Sequence, residues 1–250
     1  MKRVRIDRLL VERGLVSSRE RARAMIMAGD VLVDDVPIAK AGANVPPEAM
    51  IRLRRPEHRW ASRGGVKLEG ALETFAVVPE GQVAADIGAS TGGFTDCLLA
   101  HGALRVYAVD VDPTQLAWKL QTDPRVLPVR GNARYFESGW LPEMVDLITI
   151  DVSFISLGKI LPAVVPALRP EGRILALVKP QFEVGREKVG KGGIVSDPDT
   201  QTEAVEAVIG QAVEGGLSHR GTCRSPITGK EGNQEFFVLL ARESKPGAEA

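Results

Sequence analysis

Residues 83–94 read Val-Ala-Ala-Asp86-Ile-Gly88-Ala-Ser90-Thr-Gly92-Gly93-Phe94. A short apolar run with strand character ends in an acid, a glycine-rich turn follows, and an apolar stretch, 94–100, continues at helical spacing. Such a strand-turn-helix unit sets backbone N–H groups and a helix start at the carboxyl edge of a sheet, where α/β folds bind nucleotides. The spacing is G-x-x-x-G-G, which differs from the G-x-G-x-x-G of dinucleotide enzymes. A second acid, Asp110, closes the next strand-like segment 24 positions after Asp86. There it is placed to accept both ribose hydroxyls of an adenosine.

Outward from this unit, strand-like segments 83–87, 105–109, 145–150 and 173–178 alternate with helical stretches 94–100, 116–120 and 155–168. That rhythm predicts a doubly wound sheet of parallel strands with crossover helices. Segments 216–223 and 235–241 form a closing pair, so the last strand should run antiparallel to the rest. The glycine-and-acid pattern resembles S-adenosylmethionine-dependent methyltransferases, and the resemblance implies a Rossmann-like class I α/β fold. It also implies S-adenosylmethionine as cofactor, with Asp86, Gly88, Ser90, Gly92, Gly93 and Phe94 around its amino-acid end and Asp110 on its ribose. Asn132, after the third strand, is an adenine-side candidate, with a turn or capping role as its alternative.

The same topology sorts the chemistry-bearing side chains. Asp151 and Lys179 follow the carboxyl ends of two parallel strands, at binding-edge positions. Glu235 opens the antiparallel last strand and so starts on that edge. Lys67 opens the apolar stretch 68–76, read as a helix leading back to the first strand. Two lysines and two carboxylates should therefore meet beside the donor. Methyl transfer to a hydroxyl needs an in-line approach and an oxygen made more basic. Lys179 is read as the group that takes or polarises the hydroxyl proton, Asp151 as its aligning partner, and Lys67 with Glu235 as a flanking pair. The sequence leaves open which lysine is the base.

Several motifs extend the resemblance over residues 3–242: Ser62-Arg-Gly-Gly-Val-Lys67-Leu, Asp151-Val-Ser-Phe-Ile-Ser-Leu157, Val178-Lys-Pro-Gln-Phe-Glu183, Gly190-Lys-Gly-Gly193 and Gly232-Asn-Gln-Glu235-Phe. Together with 86–96 they resemble the TlyA family, whose catalytic domain is similar to FtsJ ribose 2′-O-methyltransferases with a Lys-Asp-Lys-Glu tetrad. The resemblance implies methylation of a cytidine 2′-hydroxyl in ribosomal RNA; the family also carries the name hemolysin. Trp60-Ala61 stands where that pattern has Tyr-Val.

The front of the chain has a different character. Residues 1–60 hold 13 basic and 8 acidic side chains, although the whole chain balances 32 against 32. A basic front on a neutral chain points to a polyanion partner. Ile6, Leu9 and Leu10 start a helix that Gly14 stops. Ser17 with Glu20 reads as a capping box for a second helix, which buries Ala22, Met25 and Ile26 and ends at Gly29. Strands follow around Val31 and Val33, Val36 to Ile38, and 50–54, with Asp34-Asp35 as a turn. Arg5-Ile-Asp-Arg-Leu-Leu10, Ser18-Arg-Glu-Arg-Ala22 and Gly29-Asp-Val-Leu-Val33 resemble the alpha-L RNA-binding domain of a small-subunit ribosomal protein. Arg3, Arg5, Arg8, Arg19 and Arg23 are its candidate RNA contacts, since neutralising phosphate is what a basic patch does best.

The expected organisation is an RNA-binding domain over 1–59, a linker over 60–63, a methyltransferase domain over 64–243 and a flexible tail over 244–250. The expected partner is ribosomal RNA or a ribosomal subunit rather than DNA, because the 2′-hydroxyl distinguishes the two. No apolar run reaches the roughly 20 residues of a membrane span, and no signal peptide is evident, so a cytoplasmic location with no membrane partner is expected. Cys97 and Cys223 stand apart and the three histidines are scattered, so no metal site is expected. Gly185 to Gly192 nearly fits a phosphate loop but puts glycine where a hydroxyl should bind magnesium; a mobile loop over the site is the better reading. Two rival functions are a membrane-lysing protein and an RNA-binding factor with an inactive methyltransferase fold. The first lacks a spanning or long amphipathic basic helix, and the second is disfavoured by an intact Lys67, Asp151, Lys179 and Glu235.

Overall fold

The computed structural model describes residues 3–54, 59–229 and 231–243. They fall into two compact units, Met1–Arg59 and Trp60–Ala250.

In the first unit the order is β1 (Val4–Arg5), α1 (Ile6–Glu12), α2 (Arg19–Met27), β2 (Val31–Val33), β3 (Val36–Pro37), β4 (Asn44–Val45) and β5 (Ile51–Leu53). β2 pairs antiparallel with both β3 and β5, and β1 pairs with β4. Asp34 and Asp35 both take positive φ, 49° and 61°. That is the twist a two-residue hairpin needs, and short Asp side chains tolerate it. Ile6, Leu10, Ile26 and Val31 are fully buried and join the two helices to the sheet. The helix cap differs from the capping box expected at Ser17. Ser18 is extended, and its hydroxyl accepts from the Arg21 backbone N–H at 3.2 Å. The cap therefore sits one residue later, and α2 opens directly on Arg19.

The second unit opens with α3 (Arg63–Phe75), β6 (Val83–Ile87), α4 (Gly93–Ala100), β7 (Arg105–Asp110), α5 (Trp118–Gln121) and β8 (Val126–Arg130). It continues with β9 (Val145–Ile150), α6 (Leu161–Val164), β10 (Leu168–Val178), α7 (Pro180–Glu183), α8 (Pro198–Glu214), β11 (Leu217–Arg224) and β12 (Phe236–Arg242). One seven-stranded sheet has the order β11-β12-β10-β9-β6-β7-β8. Strands β6 to β10 are mutually parallel, and β12 lies antiparallel between β10 and β11.

Side chains alternate between two cores, as the pleat requires. Ile148, Ile150, Ile174, Ala176 and Val178 face one cluster with Val205 and Val208 of α8, while Leu147, Leu175 and Leu177 face another with Leu68 and Leu72 of α3 and Leu98 of α4. Both faces are thus covered by helices, and the strands read as continuous apolar runs for that reason.

Three features depart from the sequence reading. The helix expected over 155–168 is broken into α6 and short 3-10 turns at Leu157–Lys159 and Val165–Ala167. Pro162 and Pro166 remove backbone donors there, which stops a continuous helix. β10 is longer than 173–178, beginning at Leu168, with its register to β9 shifting between Leu168 and Arg173 around Glu171 at φ 66°. The sequence reading also assigned no element to α8, although Asp197 caps it through Thr200 and Pro198 sits in its first turn.

Residues 60–63, read as a linker, are packed into the second unit. Trp60 is 2% exposed and its ring N–H reaches Glu69 Oε2 at 3.1 Å. The Ala61 N–H donates to Asp96 Oδ2 at 2.7 Å, Ser62 caps α3, and Arg63 begins it. The tail read over 244–250 lies outside the described residues.

Candidate active site

The sheet's carboxyl edge gathers the expected groups. β6 pairs Ile87 with Ile150 of β9, so Gly88 and Asp151 each lie one step past a strand end. β10 pairs Val178 with Phe236 of β12, which sets Lys179 and Glu235 one step beyond that last pair. Asp151, Lys179 and Glu235 therefore extend three neighbouring strands. Lys67 comes from the second turn of α3 rather than its start, because Ser62 opens that helix.

Two ion pairs result. Lys67 Nζ contacts Glu235 Oε2, with both side chains almost withdrawn from solvent. Lys179 Nζ stands 2.5 Å from Asp151 Oδ1 and donates to Ser153 Oγ at 3.0 Å. The sequence reading did not single out Ser153. Its signal was there, two places after the strand-end acid.

Beside the second pair lies a cavity of about 250 Å³. Gly88, Ser90, Asp110, Asn132, Asp151 and Ser153 are among its walls. Asp110 Oδ2 accepts from the Ser90 N–H at 2.8 Å, and its Oδ1 accepts from the Asp112 N–H at 3.0 Å. The strand-end acid thus holds the glycine loop as well as facing the cavity. Asn132 lines the cavity through its own position and also caps the following turn, accepting from the Arg134 N–H at 3.0 Å. Gly88 has φ 87°, and a β-carbon there would overlap the Asp151 carbonyl oxygen. Only glycine permits the glycine-rich loop and the acid strand end to approach so closely.

Four other expected cofactor residues are not among those cavity walls. Asp86 is fully buried: its Oδ2 accepts from the Thr95 N–H at 2.9 Å and the Thr95 hydroxyl at 2.7 Å, and its Oδ1 accepts from the Thr149 hydroxyl at 3.2 Å. It ties the start of α4 to β9. Burial pushes its carboxyl up to about 7, against the lowering effect of those hydrogen bonds. Phe94 packs in the core against Phe237, with ring centroids 5.9 Å apart. Gly92, at φ 89°, leaves room for Leu116 and Leu120. Gly93 leaves room for the Ser62 hydroxyl. These residues shape the loop from behind.

Two further features were not anticipated. Phe154 is 89% exposed at φ 65°, its ring 5.1 Å from that of Phe182. A bulky residue in that region of backbone space is strained, and such strain collects at functional sites. Asn233, almost fully buried, donates to the Gly193 carbonyl at 2.8 Å and accepts from the Val195 N–H at 2.9 Å. It fastens the glycine-lysine segment two residues from Glu235. Among the described residues, no group of three or more His, Cys, Asp or Glu is arranged to hold a metal ion.

In the first unit, Arg5, Arg19 and Arg23 surround Asp7, whereas Arg8 pairs with Glu12 at 2.6 Å and Arg3 is exposed.

Comparison with known proteins is consistent across these elements. Residues 60–242 match the FtsJ-like methyltransferase family, and residues 4–51 match the S4 domain. The chain is 46% identical to the Bacillus subtilis protein YqxC over 96% of its own length and 86% of that protein. It is 44% identical to the Mycobacterium tuberculosis 16S/23S rRNA (cytidine-2′-O)-methyltransferase TlyA, over 97% of this chain and 91% of the relative. The chain belongs to the TlyA family of FtsJ-like methyltransferases. A protein of Streptococcus thermophilus solved under a hemolysin name superposes on this methyltransferase with a TM-score of 0.76 at 42% identity, covering 98% of this chain and 90% of that one. The methyltransferase has no helix, among the described residues, long and apolar enough to cross a membrane.

Proposed function

We propose that this methyltransferase transfers the methyl group of S-adenosylmethionine to the 2′-hydroxyl of a cytidine in ribosomal RNA, with the basic first unit, 1–59, as its RNA-binding domain. The observation that carries this reading is the ion pair of Lys179 with Asp151, a residue of the cavity wall, with Lys67–Glu235 on the adjoining strand end.

The cavity suits the donor by its chemistry. Asp110 offers a carboxylate for vicinal ribose hydroxyls, Gly88 and Ser90 offer close backbone, and Asn132 and Ala133 frame the adenine side. When bound, S-adenosylmethionine supplies an electrophilic methyl group. The protein's part is placement and proton handling. Lys179 as the free amine takes the proton of the ribose hydroxyl, or as the ammonium polarises that oxygen by donating to it, and Asp151 with Ser153 holds the side chain in position. Lys67 and Glu235 support the rim as a charge-balanced pair that survives burial because each neutralises the other. Asp86 and Phe94 act behind the loop as supports. Acting on ribosomal RNA, the enzyme would work where ribosomes are made, which we read as the cytoplasm.

Incubation with methyl-labelled donor and ribosomal RNA should label the RNA, and a 2′-deoxy substitution at the mapped nucleotide should abolish the label. Transfer that persists on the deoxy substrate would assign the enzyme to base methylation instead.

A further inference from the structure

Asp7, which the sequence does not mark as functional, is engaged by three arginines of the first unit. Its Oδ1 accepts from Arg5 Nε at 3.0 Å, and its Oδ2 accepts from Arg5 Nη2 at 2.9 Å and Arg19 Nη2 at 3.1 Å. Arg23 Nε stands 3.6 Å from the same Oδ2. The carboxylate side chain is wholly buried, while the arginine side chains are 47%, 53% and 55% exposed. Three cations thus converge on one hidden anion, from β1 and from successive turns of one face of α2.

The charge and donor balance favours an outside ligand. A guanidinium has five N–H donors in a rigid fork. Asp7 engages two from Arg5 and one from Arg19. Most donors are left over, and three positive charges face one negative charge. Three unrestrained arginines would repel and swing apart; a shared buried carboxylate holds their forks in one geometry. The Arg5 hydrogen bonds, aided by Arg19, keep the Asp7 carboxyl well below the usual range, so the anchor stays charged. A fixed, cation-rich cluster with free forked donors fits phosphate oxygens.

We propose that Asp7 is a positioning residue that assembles Arg5, Arg19 and Arg23 into one cradle for RNA backbone phosphates. The inference rests on the RNA-binding reading of the first unit and adds to it a specific anchor and ligand group.

The test turns on sign. Asp7→Asn keeps the shape but raises the net charge of the patch by one. If charge alone governed binding, purified ribosomal RNA would bind the full-length variant as tightly as wild type or tighter. The cradle requires the opposite: affinity about tenfold weaker, with a shallower dependence on salt concentration, while circular dichroism and donor affinity match wild type. Equal or tighter RNA binding would overturn the proposal. Should Asp7→Asn not fold, the double variant Arg19→Lys with Arg23→Lys decides. It conserves charge but removes the forks; binding about fivefold weaker or worse supports the cradle, and unchanged binding overturns it. Failure of the wild-type protein to bind ribosomal RNA would instead count against the proposed function.

Discussion

Lys67 and Glu235 lie 168 positions apart in the chain and meet as a buried ion pair. Neither partner is tolerable alone at that depth. Glu235→Ala should strand an ammonium and lower stability by about 3–5 kcal/mol, seen as a drop in Tm together with loss of methyl transfer. Replacing both, Lys67→Met with Glu235→Leu, should recover most of the Tm and none of the activity. Recovery of activity by the apolar pair would remove these residues from the reaction.

Lys179 is assigned to the hydroxyl rather than to the donor. Lys179→Ala should lower kcat by about 10²- to 10⁴-fold and leave the dissociation constant for S-adenosylmethionine, measured by calorimetry, close to wild type. A variant that loses donor binding in proportion to activity would refute that division of labour.

Asp110 faces the cavity and also clasps the Ser90 and Asp112 N–H groups. Asp110→Ala should weaken donor binding by about 10- to 100-fold, the worth of hydrogen bonds to a charged group. RNA affinity should not change in the same assay series. Unaltered donor affinity would move the ribose site elsewhere.

Asp86 makes stability depend on pH. Burial pushes its carboxyl up to about 7 from an ordinary 3.8, so between those values the folded protein holds a proton that the unfolded chain has released. Stability contributed by this group is therefore present at low pH and declines as pH rises from about 4 to 7, then levels off, by at most about 1.4 kcal/mol per unit. Asp86→Asn can accept from Thr95 and donate to Thr149, so it should flatten that part of a Tm-against-pH curve. An identical slope in the variant would show that the proton resides on another group.

Gly88→Ala probes the close approach between loop and strand end. The added carbon would overlap the Asp151 carbonyl oxygen in a backbone region that disfavours side chains. The expected outcome is a Tm lowered by several degrees and weaker donor binding together. A variant with wild-type donor affinity would mean that the loop has slack the structure does not show.

The carboxyl-edge residues were legible in the sequence because a parallel sheet fixes where its strands end. Asp110, Asp151 and Lys179 each follow a run of apolar residues, and the closing hairpin turned Glu235 toward the same rim. What stayed hidden depended on three-dimensional neighbours. Asp86 and Phe94 sit in the same motif as Gly88, yet whether a motif residue faces the ligand or the core depends on what packs behind it, here Thr95, Thr149 and Phe237. Asp7 reads as one acid among many arginines until the fold folds β1 and α2 around it. The break at Pro162 and Pro166 was visible residue by residue, but a strong apolar period over 155–168 outweighed it in the sequence reading.

β12 enters the sheet between β10 and β11, strands that both precede it in the chain, and it brings Glu235 to the rim. A strand laid between two that precede it can enter only after both exist, so the sheet closes on β12. Until β12 is in place Lys67 has no buried carboxylate to answer it, so the ion pair that ties α3 to the rim cannot form before the sheet closes.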